Sequence, residues 1–536
     1  MTITRRDALR YGLVSLGAGA LGAEAHDLWT RAPKVSASTV SLLPSARMPK
    51  PYRTTFAPLA VMTPERRTDD EGPIDDYHVH ASPGSVRVAV GLDTGVLGYD
   101  GLVPSRRIDV DQGVRTTLCV HNELPQTHPV FGTPMALSTH LHGSASLPQY
   151  DGYAADLTQV GQQKTYLYPN VQPARTLWFH DHAQHYTAQN VYSGLAAQYH
   201  LHDARERALL PQGEYDVALT LGDVMLAADG ALRLDDRSHS GLWGDIILVN
   251  GRPWPVMRVK RRIYRFRVLN ACLSRSFRPT LSPSGDLHVV ATDGGLVPRT
   301  QTVTQYRHGP AERYELLIDF SKFPVGQRVE LRNLSNPKNR DFDNTNKIMA
   351  FDVTDEPFDA GDPTARTVPE DLDPGNAIMA LQPSGSLKVR NIQVQHDDVT
   401  NEWNLNGQTW HDVVHSGYTK VLADPALGAT EIWEIENRSG GWFHPFHIHL
   451  IDFKILSRNG KPPFPWELGP KDVLYVGPEE KIRVIMKFGP HRGKYMVHCH
   501  NLPHEDHDMM HQFSVGLRPG DVDVNDPIHA APAVDG

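Results

Sequence analysis

Four short motifs concentrate histidine: Thr139-His140-Leu141-His142-Gly143, Trp178-Phe179-His180-Asp181-His182, His444-Pro445-Phe446-His447-Ile448-His449 and His498-Cys499-His500-Asn501-Leu502-Pro503-His504. Imidazole and thiolate are metal ligands. In a strand, side chains two apart share a face and neighbours point to opposite faces. Each His-x-His pair therefore presents two imidazoles side by side, which suits a site holding several metals. His498 and His500 share a face while Cys499 points away. His447 and His449 share a face, and His444, an odd offset from both, can point with Cys499. Parity thus divides the ligands into two sets.

The first set is His444, Cys499 and His504, with Met509 ten residues past the cysteine as a weak axial thioether. Two imidazoles, a thiolate and a distant methionine make the blue-copper arrangement. Zinc takes four strong ligands more often, which this set does not obviously offer. The second set is His140, His142, His180, His182, His447, His449, His498 and His500. It contains neither carboxylate nor thiolate, and neutral imidazoles suit copper and oxygen binding between several metals.

With all four motifs present and in order, the chain resembles the three-domain multicopper oxidases over nearly its whole length. The resemblance implies a mononuclear (type 1) copper on His444, Cys499 and His504 with Met509 axial. It further implies a type 2 copper on His140 and His447, and paired type 3 coppers on His142, His180, His182, His449, His498 and His500. Within the family the chain looks closest to bilirubin oxidases, with spore-coat laccases and phenoxazinone synthases as near relatives. Trp442, two residues before His444, matches bilirubin oxidases and is expected to touch the type 1 ligands or substrate. Pro503, beside His504, departs from their pattern and puts the shape of the substrate rim in question. Asp151, in Tyr150-Asp151-Gly152-Tyr153, and Glu505 match carboxylates that supply protons in relatives. The implied reaction couples four one-electron oxidations of small aromatic reductants (phenols, aminophenols or bilirubin-like tetrapyrroles) to reduction of O₂ to two waters. A cuprous or ferrous ion oxidase is the alternative. The 12 methionines, unclustered outside Met509-Met510, count against it. An electron carrier would need only the first set.

These motifs must be held by strands. Tyr264–Leu269, Arg313–Asp319, Glu431–Glu436 and Lys481–Met486 alternate with a period near two, so each should bury one face. Asn250-Gly251, Asn406-Gly407 and Asn459-Gly460 read as tight turns. With 43 glycines, 41 prolines and scarce helical periodicity, the expected fold is all-β: three consecutive cupredoxin-like Greek-key sandwiches. They should span 50–205, 212–355 and 386–520, with 356–385, rich in Asp, Pro and Gly, as a linker. The 536 residues agree with three domains of roughly 150 residues each.

Arg5-Arg6 followed by an apolar run to about Gly22 and Ala23-Glu24-Ala25 resembles a Tat-type signal peptide over 1–25. Export to the periplasm or medium without membrane insertion is therefore expected. A net charge of −9 without a basic stripe makes nucleic acid an unexpected partner. Two further pairs, His78-Val79-His80 and His200-Leu201-His202, fall outside the four motifs and read as ordinary strand residues. His504-Glu505-Asp506-His507 is one residue short of a zinc-protease H-E-x-x-H. Three cysteines exclude a disulfide scaffold, and the state of Cys119 and Cys272 stays open at this point.

Overall fold

The computed structural model describes residues 41–517 apart from 236 and 360, together with 523, 526–527 and 534–535. The signal segment over 1–25 lies outside the described residues. The described chain is built mainly of strands, in three sandwiches of two sheets each. Each sandwich contains the same kind of parallel pair: Gly72–Val86 with Arg115–Asn122, Asp216–Val224 with Ile263–Asn270, and Lys388–Asp397 with Thr430–Asn437. Each encloses its own apolar core. Tyr77, Val79, Leu118, Leu141 and Phe179 belong to the first, Phe266, Tyr314 and Phe351 to the second. Trp433, Phe446, Val484 and Cys499 belong to the third. Among the described residues no helix is long and apolar enough to cross a membrane.

The Asn-Gly pairs have the backbone their turns require. Asn250, Asn406 and Asn459 take φ of 49°, 55° and 47°, and the glycines after them 71°, 71° and 74°. Two successive residues with positive φ match the right-handed twist of the flanking strands. Asparagine tolerates that region and glycine enters it without cost.

One expectation from strand periodicity needs correction. Ile263–Asn270 alternates apolar and basic residues, yet every residue in it is buried. Tyr264, Phe266 and Val268 fill the second core. Arg265 and Arg267 face the first sandwich instead of water. Arg267 donates to Glu206 Oε1 at 2.8 Å and to Asp216 Oδ1 at 2.9 Å, and Arg265 donates to Glu315 Oε2 at 2.8 Å. Burial pushes the Glu206 carboxyl up, but the two guanidiniums outweigh it and hold it far below the usual range. The charged face of this strand is an interface between sandwiches, closed by complementary charge. Two-residue alternation marks two faces without saying what covers the polar one.

Among its described residues, 356–385 forms the short turn Pro363–Ala365 and a single bridge from Asp371 to Arg299, and it is tied down at several further points. Arg262 donates to Asp362 at 2.8 Å, and Lys454 Nζ donates to the carbonyls of Met379 and Leu381 at 2.8 and 3.0 Å. All three cysteines are free and buried, which answers the question left open for Cys119 and Cys272.

Candidate metal centre

Strand register assembles the motifs. In the first sandwich Thr139–His142 pairs antiparallel with Arg175–Asp181, placing His140 opposite His180 and Trp178 opposite His142. In the third, His444–Ile448 pairs with Gly493–Cys499, placing His447 opposite His498 and Phe446 opposite Cys499. Cross-strand partners share a face, so Cys499 lies on the side of Phe446 and His444. His447 and His498 lie on the other, as parity requires. The first and third sandwiches then meet ring to ring: His140 stacks on His449 at 3.8 Å and His142 on His447 at 3.7 Å between centroids.

Among the groups of donor atoms lying within 4.8 Å of one another are His140, His142 and His447; His142, His180 and His500; His182, His449 and His498; and, fourth, His444, Cys499 and His504. Hydrogen bonds set which nitrogen faces inward. The Nδ1–H groups of His140, His447 and His180 donate to the carbonyls of Asp151, Asp472 and Asp181 at 2.5, 2.9 and 2.7 Å. Their Nε2 atoms are buried without a partner. His142 is reversed: its Nε2 meets Asp472 Oδ1 at 3.2 Å, leaving Nδ1 unpartnered. Both nitrogens of His500 are buried and unpartnered. Orphaned buried acceptors are costly, and convergent ones fit a cation. Burial first, and neighbouring imidazoles second, push His140, His449 and His500 far below their ordinary pKa, with His180 at about 3. The rings are therefore neutral near pH 7, which is the ligating form.

In the fourth group His444 Nδ1 and His504 Nδ1 lie 3.4 and 3.7 Å from Cys499 Sγ and 3.1 Å from each other. His444 Nε2 is held by Ser439 Oγ at 2.7 Å, and His504 Nε2 by the Ser240 carbonyl at 2.8 Å. Met509 is fully buried in the core that contains Cys499, and its carbonyl accepts the Cys499 N–H at 3.1 Å. His504 and Glu505 sit on the single helical turn Leu502–Asp506. Pro503 occupies its start, where a missing N–H costs nothing. It is buried in that turn, so it shapes the turn more than a rim.

Two glycines beside ligands permit close approach. A Cβ on Gly143 (φ 89°) would meet Arg313 Nη2 at 2.6 Å and Asp472 Oδ2 at 2.7 Å. One on Gly152 (φ 75°) would meet the Thr139 carbonyl at 2.4 Å. The second holds Asp151 against the cluster, where Asp151 Oδ2 accepts the Nδ1–H of His449 at 2.7 Å. Burial pushes the Asp151 carboxyl well up. Glu505 Oε2 lies 2.9 Å from His498 Nδ1, and Oε1 lies 3.7 Å from His182 Nε2. Burial raises the Glu505 carboxyl, while the neighbouring His498 and His182 pull it below the usual range. The pull of His182 needs a protonated ring, and His182 is held neutral down to about 4.

Several residues of the centre escaped the sequence reading. Asp472 joins three sandwiches: it accepts from His142, from Arg313 Nη1 at 2.7 Å and, through its carbonyl, from His447. Burial raises its carboxyl to about 6 against the pull of Arg313. Asp181 accepts the Ser138 and Ala183 N–H groups and Asn190 Nδ2 at 2.9–3.1 Å, steadying the loop between His180 and His182. Trp403 stacks on His504 at 3.8 Å and donates to the His239 carbonyl at 2.6 Å. Trp442 stands edge-on to His504 at 5.9 Å and stacks on Trp243 at 6.0 Å. Beside this aromatic wall opens a cleft of about 490 Å³ lined by Trp243, Leu242, Arg233, Arg237 and Arg340 among others. Trp442 and Asp181 sit within or beside the histidine motifs, and Trp442 is expected there from its spacing to His444; no spacing rule connects Asp472, Trp403 or Trp243 to them.

Family models described as multicopper oxidase match residues 81–206 and 384–518. The bilirubin oxidase of Albifimbria verrucaria is 38% identical over 462 residues, covering 83% of this chain and 77% of that protein. The chain belongs to the multicopper oxidases. A laccase of Bacillus subtilis is 33% identical over 480 residues, covering 79% of this multicopper oxidase and 90% of that protein. Among solved structures, the McoA multicopper oxidase of the hyperthermophile Aquifex aeolicus superposes with a TM-score of 0.73 at 26% identity. It covers 86% of this oxidase and 100% of that chain. The oxidase is accordingly a copper-dependent oxidoreductase with O₂ as acceptor and four coppers as its cofactor. The orphaned imidazole nitrogens and the His-Cys-His trio fit that cofactor.

Proposed function

We propose that this oxidase takes electrons from small aromatic reductants (phenols, aminophenols or bilirubin-like tetrapyrroles) at the His504 edge. The observation that carries this reading is the wall of Trp403, Trp442 and Trp243 against a type 1 ligand, opening on a cleft of small-molecule size. In this reading His444, Cys499 and His504 would hold the type 1 copper, with the buried Met509 as a further sulfur donor. His140 and His447 would hold type 2, and His142, His180, His182, His449, His498 and His500 would hold the type 3 pair. Copper, when bound, supplies the one-electron redox chemistry that lets four oxidations match the four-electron reduction of O₂ to two waters. Cys499 and its chain neighbours His498 and His500 join the two donor sets through one stretch of backbone, so the path between them is short and covalent. Trp403, fully buried, excludes water from the His504 side, while the partly exposed Trp442 and Trp243 offer flat faces to an aromatic donor. Arg5-Arg6 and the apolar run after them support export through the Tat route.

Reduction of O₂ consumes protons, and the cluster is sealed from solvent. Glu505, within 2.9 Å of His498, is placed to hold one at a carboxyl oxygen. Asp151 orients His449 and keeps a second, unpartnered oxygen at the cluster. Glu505→Gln should lower kcat by about 10²-fold, the scale of a lost proton donor, with blue absorption and copper content retained. Loss of copper would instead make Glu505 a positioning residue for His498. The donor class is tested by O₂ uptake of the copper-loaded enzyme across phenol, aminophenol, bilirubin, Fe(II) and Cu(I). Turnover with the organic donors is expected. Uptake with the metal ions alone would replace this reading with a metal-ion oxidase.

A further inference from the structure

A second cluster of the same chemistry lies on the outer face of the first sandwich. The strands Gly72–Val86 and Arg115–Asn122 run parallel with His78 beside Cys119 and His80 beside His121. Val79, Ala81, Leu118 and Val120 turn into the core. His78, His80, Cys119 and His121 therefore share the opposite face. Read alone, His78-Val79-His80 is an ordinary strand pair. The neighbouring strand, 35 or more residues later in the chain, adds a thiol and a third imidazole.

Three donor atoms converge there. His78 Nδ1 lies 3.1 Å from His121 Nε2, Cys119 Sγ lies 3.6 Å from the same nitrogen, and all three fall within 4.8 Å. With zinc-type bonds near 2.05 Å to nitrogen and 2.3 Å to sulfur, a tetrahedral site spaces its ligands at about 3.3 Å (N···N) and 3.6 Å (N···S). Both separations measured from His121 Nε2 match, and they resemble those of the His444–Cys499–His504 triad, at 3.1, 3.4 and 3.7 Å. A hydrogen bond is a weaker account, since one proton between His78 and His121 leaves the thiol competing for the same nitrogen. A cation satisfies all three. Around them, His80 stacks on His121 at 4.5 Å and is held by Glu123 at 2.8 Å, which fixes the His121 ring. His78 is exposed, Cys119 is buried beneath the rings and His121 is half-buried, so the site opens outward and leaves a fourth position for water.

We propose that His78, Cys119 and His121 form an additional metal site, separate from the four copper motifs, for a thiophilic d¹⁰ cation: Zn(II) or Cu(I). Two imidazoles and a thiolate are borderline-to-soft ligands that favour these ions over Mg(II) or Ca(II). Binding displaces the Cys119 thiol proton to solvent and involves no redox change.

The test uses the full-length, copper-loaded enzyme, equilibrated with Zn(II) or, without oxygen, with Cu(I), then freed of excess metal and assayed for metal per chain. Wild type should retain one equivalent more than Cys119→Ser and His78→Ala, and Co(II) should give a thiolate-to-cobalt band that both variants lack. Type 1 absorption and O₂ uptake should be unchanged in both variants. His78 is exposed, so its removal leaves the core intact even if Cys119→Ser folds poorly. Retention of Zn(II) alone or of Cu(I) alone identifies the ion. Equal metal content in wild type and both variants, with no additional cobalt band, overturns the site.

Discussion

Cys499→Ser is expected to abolish the intense blue colour and to reduce O₂ uptake with every donor to background, while copper remains on the histidine cluster. The thiolate is the one donor of the type 1 set that a hydroxyl cannot replace. It lies 3.4 and 3.7 Å from the two imidazoles that would share its metal. It is also the only residue of that set joined by peptide bonds to ligands of the other, His498 and His500. The substitution therefore removes a metal site and a path together, which makes this the largest single effect in the molecule. The histidine cluster keeps its own hydrogen bonds through the Asp151, Asp472 and Asp181 carbonyls, and should still load. Absorption spectra, copper content and O₂ consumption on one preparation decide it. Retained blue colour would move the type 1 site elsewhere, and loss of all copper would mean that the two sets assemble as one.

Arg313→Met is expected to destabilise the fold by about 3–5 kcal/mol, the cost of leaving a buried charge without its partner, and to weaken copper retention at His142. Arg313 is fully buried and donates to Asp472, to the Asp293 carbonyl at 3.1 Å and to the Thr176 carbonyl at 2.9 Å. It thus ties the second sandwich to strands of the first and third. Without it the Asp472 carboxyl, already raised by burial, loses its main counter-charge and rises further. The hydrogen bond to His142 Nε2 then weakens, and with it the preference that aims Nδ1 at the cluster. Partners of this kind alter metal affinity or activity by roughly 10–100-fold. Thermal unfolding and copper stoichiometry read the two effects separately. An unchanged melting temperature would show the network to be dispensable.

Much of the centre was legible because its information is local. A period of two is a property of any strand, so His-x-His and His-Cys-His state which side chains share a face before any strand partner is known. The register of His447 with His498 and Phe446 with Cys499 realises that division. The Asn-Gly turns were equally local, since asparagine and glycine are the residues that tolerate consecutive positive φ.

What required the tertiary structure is everything that depends on which surfaces meet. Arg265 and Arg267 look like a solvent face until Glu206 and Glu315 close over them. Asp472 and Arg313 lie far apart in sequence, and only the contact of three sandwiches makes them one support for His142. Trp403 stacks on His504 across 101 positions of chain. His78-Val79-His80 gains its meaning from a parallel neighbour that supplies Cys119 and His121. By itself, then, the sequence determined the candidate ligands, their division between two faces and the strands that carry them, because these follow from residue type and backbone periodicity. The tertiary structure decided the nitrogen each histidine offers, the carboxylates that aim it, the aromatic wall beside His504 and the second metal-binding face. These follow from contacts between segments, and a one-dimensional pattern does not contain them.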